Sequence, residues 1–364
     1  MFQHSVTIAL LFLLLSTRGY CETLETIRQL FEVYQRSPGE IEILFTSDTK
    51  EIDNVLKRTE TKRLAVRKEL DKAQKEQRSN RNQPSPLFAE EYAAPFSHYV
   101  TDEYAFAKRS LEQDKPEDAV LSIRYVYSLA EELSASGSLE LRAAAARMRL
   151  KMLETAQSVL LHPLCKHEYH ELLYKIFDEQ IHRRTSDSVI WEQYRDEGKQ
   201  FFTEIAKHGF GKMIPPNVLK ELGDRHAFRE YAKAPAECIV QDQANFFAAL
   251  EKIIESSAVP FFQRQPILRQ LDTELREHRG TAAEPVFTLL LLRDVSSSML
   301  LFAQERSGIE TAYLALSASL EKQNRQKPVN FLTGKGYELR LIPNGVMCTY
   351  EGNIKAFYVP YRQD

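Results

Sequence analysis

From Leu292 onward the positions Leu292, Val295, Met299, Phe302, Arg306, Ile309, Tyr313, Leu316 and Leu320 advance by alternating steps of three and four, and all but Arg306 are apolar. Side chains at that spacing return to one face of an α-helix. The run predicts a single helix of about 43 Å at the usual rise per residue. Gly308 falls within it, at a cost of about 1 kcal/mol relative to Ala, and marks a place for a kink. The pattern then changes period. Phe331 to Gly336 is a turn cluster, after which Tyr337, Leu339 and Leu341 alternate with Glu338 and Arg340 as in a half-buried strand. Pro343-Asn344-Gly345 reads as a chain reversal using the positive φ that Asn-Gly favours. Val346 to Tyr350 then predicts a second strand, Glu351 to Asn353 a turn, and Ile354 to Val359 a third strand. So small a meander buries little by itself, and the long helix is its expected support.

Upstream the period is helical nearly throughout. Leu24, Ile27, Leu30, Phe31 and Tyr34 predict an amphipathic helix stopped by Pro38-Gly39, with Ile41, Ile43 and Phe45 as a short strand or extended link. Thr49 to Arg78, dense in charge with Ile52, Leu56, Leu64 and Leu70 as anchors, predicts a long, mostly solvated helix whose charge run is a wet face. Asn80 to Pro86 reads as a linker. Tyr104 to Leu111 and then Ala119, Ile123, Val126, Ala130 and Leu133 form a helical hairpin, with Asp114 as cap and Pro116 in the first turn. Further stripes follow after Gly137-Ser138. They run through Leu139, Ala143, Ala146, Leu150, Leu153 and Leu160, then Leu172 to Ile181, then Ile190 to Ile205 closed by Gly209. Beyond the Pro215-Pro216 loop, Phe246 to Ile254 follows Asp242 as a cap, and Leu268, Leu271 and Leu275 make a short helix. The expected fold is therefore mainly α, a multi-helix bundle or irregular helical array with a small C-terminal antiparallel β-meander packed on a long helix. Its expected parts are a signal peptide (1–21), N-terminal helices (22–83), a helical array (84–284) and the long helix with its tail (285–364).

Export comes from the first residues. Val6 to Leu15 is an apolar run too short to span a bilayer as a helix, which takes about 20 residues, and of the length of a signal-peptide core. Gly19 and Cys21 stand at the minus-three and minus-one positions of a cut before Glu22. The expected location is periplasmic or secreted, with membrane association only through an uncleaved or lipidated N-terminus. Cleavage there leaves Cys165, Cys238 and Cys348, an odd number that allows at most one internal pair. Charged residues make up 27% of the chain at a net charge of −3, which lacks the basic footprint of a nucleic-acid binder.

Candidate chemistry is sparse. His162, Cys165, His167 and His170 form the densest group of soft ligands, suited to Zn²⁺, although His167-Glu-Tyr-His170 is one residue short of the H-E-x-x-H spacing. Val286 to Met299 resembles the first strand and D-x-S-x-S motif of von Willebrand type A domains, which would make Asp294, Ser296 and Ser298 ligands of a hard cation such as Mg²⁺. Against that stand the helical stripe running through the motif in phase and the short remainder of chain after Asp294. No nucleophile elbow, phosphate loop, dinucleotide fingerprint or C-x-x-C pair occurs.

The long helix followed by Asn330-Phe-Leu-Thr-Gly-Lys335, Tyr337-Glu-Leu-Arg-Leu341 and Asn344-Gly345 resembles the tail of a broad group of exported, mostly helical bacterial proteins, itself similar to the C-terminal segment of type II secretion pseudopilins. Asp118 to Ala130 and Arg142 to Leu161 resemble helical repeats of the same group. The resemblance implies an envelope setting and brings no catalytic residues. The expected role is non-enzymatic protein interaction or scaffolding in the cell envelope, with other envelope proteins or a second copy as partner, no nucleic acid and no cofactor. The alternative is a metal-dependent exported enzyme or adhesion module using the His162/Cys165/His167/His170 group or the Asp294-x-Ser296-x-Ser298 motif.

Overall fold

Two apolar cores share one helix. The computed structural model describes residues 29–31, 34, 37–46, 48–79, 93–135, 139–184, 186–209, 235–277, 285–292, 295–322, 329–351 and 356–361. The helices are α1 (Pro38–Ile43), α2 (Thr49–Ser79), α3 (Ala93–Glu112), α4 (Pro116–Ala135), α5 (Leu139–Leu161), α6 (His167–His182), α7 (Asp187–His208), α8 (Pro235–Ser256), α9 (Phe261–Glu277), α10 (Val286–Leu291) and α11 (Val295–Ser319). The strands β1 (Glu338–Ile342), β2 (Gly345–Thr349) and β3 (Phe357–Pro360) form one antiparallel sheet in the order β1-β2-β3. The mainly helical class with a C-terminal meander is thus the fold. No helix among the described residues is long and apolar enough to cross a membrane.

The first core joins α3 to α6 with the C-terminal half of α11, where Ile309, Ala312, Ala315 and Leu316 are buried, and with Cys348, Phe357 and Val359 of the sheet. The second gathers α7 to α10 around the N-terminal half of α11, through Val295, Met299 and Ala303. A helix serving two cores is covered on more than one stripe. The predicted seam is present, but Ser298, Glu305, Ser307, Glu310 and Thr311 are buried beside it. α11 starts at Val295, since Leu292 closes α10 with a turn. Gly308 does not break the helix. A Cβ there would stand 2.8 Å from Leu153 Cδ1 of α5, so its role is close helix approach.

α5 is the central helix of the first core, with Leu141, Ala145, Met148, Met152, Ala156 and Val159 buried against α3, α4, α6, α11 and β3. The small side chains from Ala143 to Ala146 fit a helix surrounded by other helices.

Several local expectations are corrected by who caps whom. Pro38-Gly39 starts a helix instead of stopping one, because Ser37 and Glu40 form a capping box and Pro38 sits where no intrahelical N–H is needed. The short strand expected at Ile41 to Phe45 is therefore α1 and its turn. Asp114 is no N-cap. It takes φ 59° just after α3, where the Lys115 amide donates to the Ser110 carbonyl in the manner of a left-handed helix C-terminus. Asp242 does not cap its own helix. It lies buried inside α8 and accepts from the Phe287 and Thr288 amides at 2.7 and 3.0 Å, capping α10 from another element. The charge run of α2 is only partly wet: Arg67 is buried and bonds Glu103 Oε1 at 2.8 Å and Ser122 Oγ at 2.9 Å.

The meander leans on α11 and α5 as expected, and Gln157 of α5 donates to the Tyr358 carbonyl at 2.7 Å and accepts from its amide at 2.8 Å. The first turn differs in kind. Its two residues are Pro343 and Asn344, with Ile342 opposite Gly345, and none of Pro343, Asn344 or Gly345 has positive φ. Gly345 is needed for space, because a Cβ there would lie 2.3 Å from the Val359 carbonyl oxygen of β3. Backbone cannot yield as a side-chain tip can, so Gly345→Ala should lower stability by about 1–3 kcal/mol, measurable as a shift of the urea midpoint.

The Asn330 to Gly336 cluster fastens the sheet to both cores. Asn330, fully buried, accepts from the Leu332 and Thr333 amides at 2.9 and 3.0 Å. Phe331 lies between the guanidinium groups of Arg264 and Arg306, 4.6 and 4.4 Å from its ring centre. Gly334 takes φ 72°, and a Cβ would meet the Phe262 ring at 2.0 Å. Tyr337 donates to Glu310 of α11.

Candidate functional site

A polar cleft opens between the ends of α4, α6 and α7 and the α5 and α11 helices. It holds about 190 Å³ and is lined by Arg142, Arg149, Arg183, Arg184, Glu131, Asp187 and Glu305 among others. Arg142 and Arg149 stand two helical turns apart on α5 and so share a face. Arg183 and Arg184 follow the last turn of α6.

The carboxylates of the cleft are mostly committed. Glu131 accepts from Arg183 at 3.2 Å. Glu305, buried in α11, accepts from Arg184 and, at 3.4 Å, from Arg149. Asp187 accepts from Arg264 at 2.7 Å. Arg142 is 4% exposed, and its one hydrogen bond among the described residues goes to a neutral acceptor, Gln193 Oε1, at 2.5 Å. Its Nε and Nη1, and Nε of Arg149, are buried and find no acceptor among the described residues. Burial pulls Arg142 down to about 10, opposed by Glu197 and Asp187 nearby. Burial also raises the Glu197 carboxyl to about 7 in spite of Arg142, which leaves a weakened counter-charge at that spot.

A second feature lies on the sheet. Leu339 and Leu341 of β1 pair with Cys348 and Val346 of β2, and opposed residues share a face. That face is the core face on β2, where both partners are fully buried. On β1 it runs on past the cover, leaving Leu339 46% and Leu341 70% exposed. Glu338 and Arg340 project from the other face, 2.9 Å apart. No described strand pairs with the outer side of β1.

The residues singled out for metal chemistry do not come together. His162 Nε2 meets the Leu111 carbonyl at 3.0 Å, which ties the α5–α6 turn to the end of α3, and its Nδ1 accepts from the Leu164 amide within the turn at 3.2 Å. Cys165 is buried in the first core. His167 is exposed at the start of α6, and His170 is buried with its ring stacked 6.3 Å from that of His167. Among the described residues no three His, Cys, Asp or Glu side chains are placed to hold a metal ion. Asp294 lies outside the described residues. Ser296 is half-buried and Ser298 buried in the first turn of α11. The segment before them, Val286–Leu291, is helical and not the strand that the von Willebrand reading requires. Cys348 is a free thiol, and burial pushes it up to about 12, where it is unreactive. Residues 1–28, with the expected signal peptide and Cys21, and the expected linker Asn80 to Pro86 also lie outside the described residues.

The arginine cleft escapes a reading by motif because its members come from α5, α6 and α11. The one local sign is that Arg142 and Arg149 fall seven residues apart, on the same face of an alanine-rich helix as its buried residues. No family model matches this chain, and no curated protein or solved structure gives a significant match to it.

Proposed function

We propose that this chain is an exported, non-enzymatic scaffolding protein that associates with a second copy of itself through β1. The observation that carries the reading is the exposed Leu339–Leu341 strip, continuous with the core face of the sheet and bordered by a strand edge that no described strand pairs with. Such an edge presents backbone donors and acceptors ready for another strand. Support for export is the Val6 to Leu15 run with its cut before Glu22, together with the resemblance of the tail to those of exported helical proteins.

The charge pattern selects the occupant and its register. In a hairpin closed by a two-residue turn the flanking pair is hydrogen-bonded, so Ile342, Arg340 and Glu338 direct their backbone groups toward β2. Those of Leu339 and Leu341 point outward. A second β1, antiparallel about a two-fold axis at Leu339, lets that residue exchange both backbone bonds with its copy. It also sets Glu338 opposite Arg340 of the second copy, twice over. An axis at Arg340 instead opposes two guanidiniums, which is destabilising.

Sedimentation velocity at increasing concentration tests this reading. The unaltered protein should approach the mass of two chains. Arg340→Glu should remain a monomer, because each Glu338 then faces another carboxylate, and the double exchange Glu338→Arg with Arg340→Glu should restore the dimer. A monomer throughout, or a dimer indifferent to Arg340→Glu, would overturn it.

A further inference from the structure

We propose that the arginine cleft is a binding site for a small dianion bearing carboxylate or phosphoryl oxygens, held by Arg142 and Arg149 of α5 with Arg184 at its rim. This does not depend on the pairing of β1. Four guanidinium groups, Arg142, Arg149, Arg183 and Arg184, line the cleft against three carboxylates. Of those three, Glu131 is taken by Arg183, Asp187 by Arg264 from outside the cleft, and Glu305 is divided between Arg149 and Arg184. The surplus cation is Arg142.

A guanidinium withdrawn from water is costly without an anionic partner, and here two of its nitrogens lack an acceptor among the described residues. The planar fork of Arg matches a carboxylate or phosphate with two parallel bonds. A volume of about 190 Å³ exceeds several times the roughly 30 Å³ share of one water, room for an ion of phosphate or succinate size. The two α5 arginines are fixed by helix packing, so the donors are arranged before a ligand arrives.

The test has two readouts. Calorimetric titration of the full exported chain with inorganic phosphate and, separately, with succinate should give saturable binding in at least one arm, and the arm that binds identifies the oxygen source. Arg142→Met should weaken it about tenfold or more, the loss of at least one charge-assisted bond. The same variant should melt no lower than the parent without ligand, because it removes a buried charge that lacks a bonded counter-ion. Arg142→Lys, which keeps the charge but loses the fork, should fold as the parent does and bind more weakly. Failure of both anions to saturate, unchanged affinity in both variants, or a lower melting temperature for Arg142→Met in the absence of anion would overturn the assignment.

Discussion

Arg264→Leu should lower the stability of the fold by about 3–5 kcal/mol, read as a fall in the denaturant midpoint. Arg264 is 1% exposed. Its Nε donates to the Val259 carbonyl at 2.5 Å and its Nη2 to the Ser257 carbonyl at 2.6 Å, which satisfies the chain where α8 gives way to α9. Its Nη1 reaches Asp187 at the first turn of α7, and its face lies against Phe331. Leucine fills part of the volume but leaves two carbonyls and one carboxylate without their donor. Because Phe331 belongs to the loop that leads into β1, the loss should also loosen the sheet, seen as faster amide exchange in β1 and β2 than in α3. A change below about 1 kcal/mol would mean that the guanidinium is dispensable, as exposed ion pairs are.

Glu305→Ala should cost a similar amount, about 3–5 kcal/mol, because one carboxylate serves two cations. Glu305 is buried in α11, and its removal strands Arg149, which burial already holds below the usual range, together with Arg184. Arg142→Met in the same cleft should, by contrast, cost no stability. The difference lies in partnership: Glu305 is over-subscribed, whereas Arg142 bonds only a neutral amide. If both substitutions destabilised equally, the charge count offered for the cleft would be wrong.

What the sequence made legible is what depends on near neighbours. The three-four spacing from Val295 to Leu316 located α11, and the alternation from Tyr337 to Leu341 with the breaks at Pro343 and Glu351 located the sheet. The same period found α7 through Trp191, Tyr194, Phe201 and Phe202, all now in the second core. What it concealed depends on partners far along the chain. Asp242 looks like a local cap until α10, about 45 positions later, is seen against it. Arg67 looks solvated until Glu103 of α3 covers it. Pro38-Gly39 carries both a stop and a start signal, and the Ser37–Glu40 box decides in favour of the start. Gly308 and Gly345 announce only freedom of φ in the sequence, while the structure uses them for closeness to Leu153 and Val359. The histidine group was legible by proximity in sequence, but a helix and a turn carry its members to different surroundings.

Mixed-chain cross-linking reads the proposed β1 pairing residue by residue. Chains carrying Glu338→Cys are combined with chains carrying Arg340→Cys under mild oxidation, both positions facing away from buried Cys348. Opposed positions of a non-hydrogen-bonded antiparallel pair lie about 4.5 Å apart at Cα, within disulfide reach. The mixture should cross-link faster than either variant alone. Cross-linking fastest for Arg340→Cys by itself, or no cross-link in any combination, would contradict the pairing.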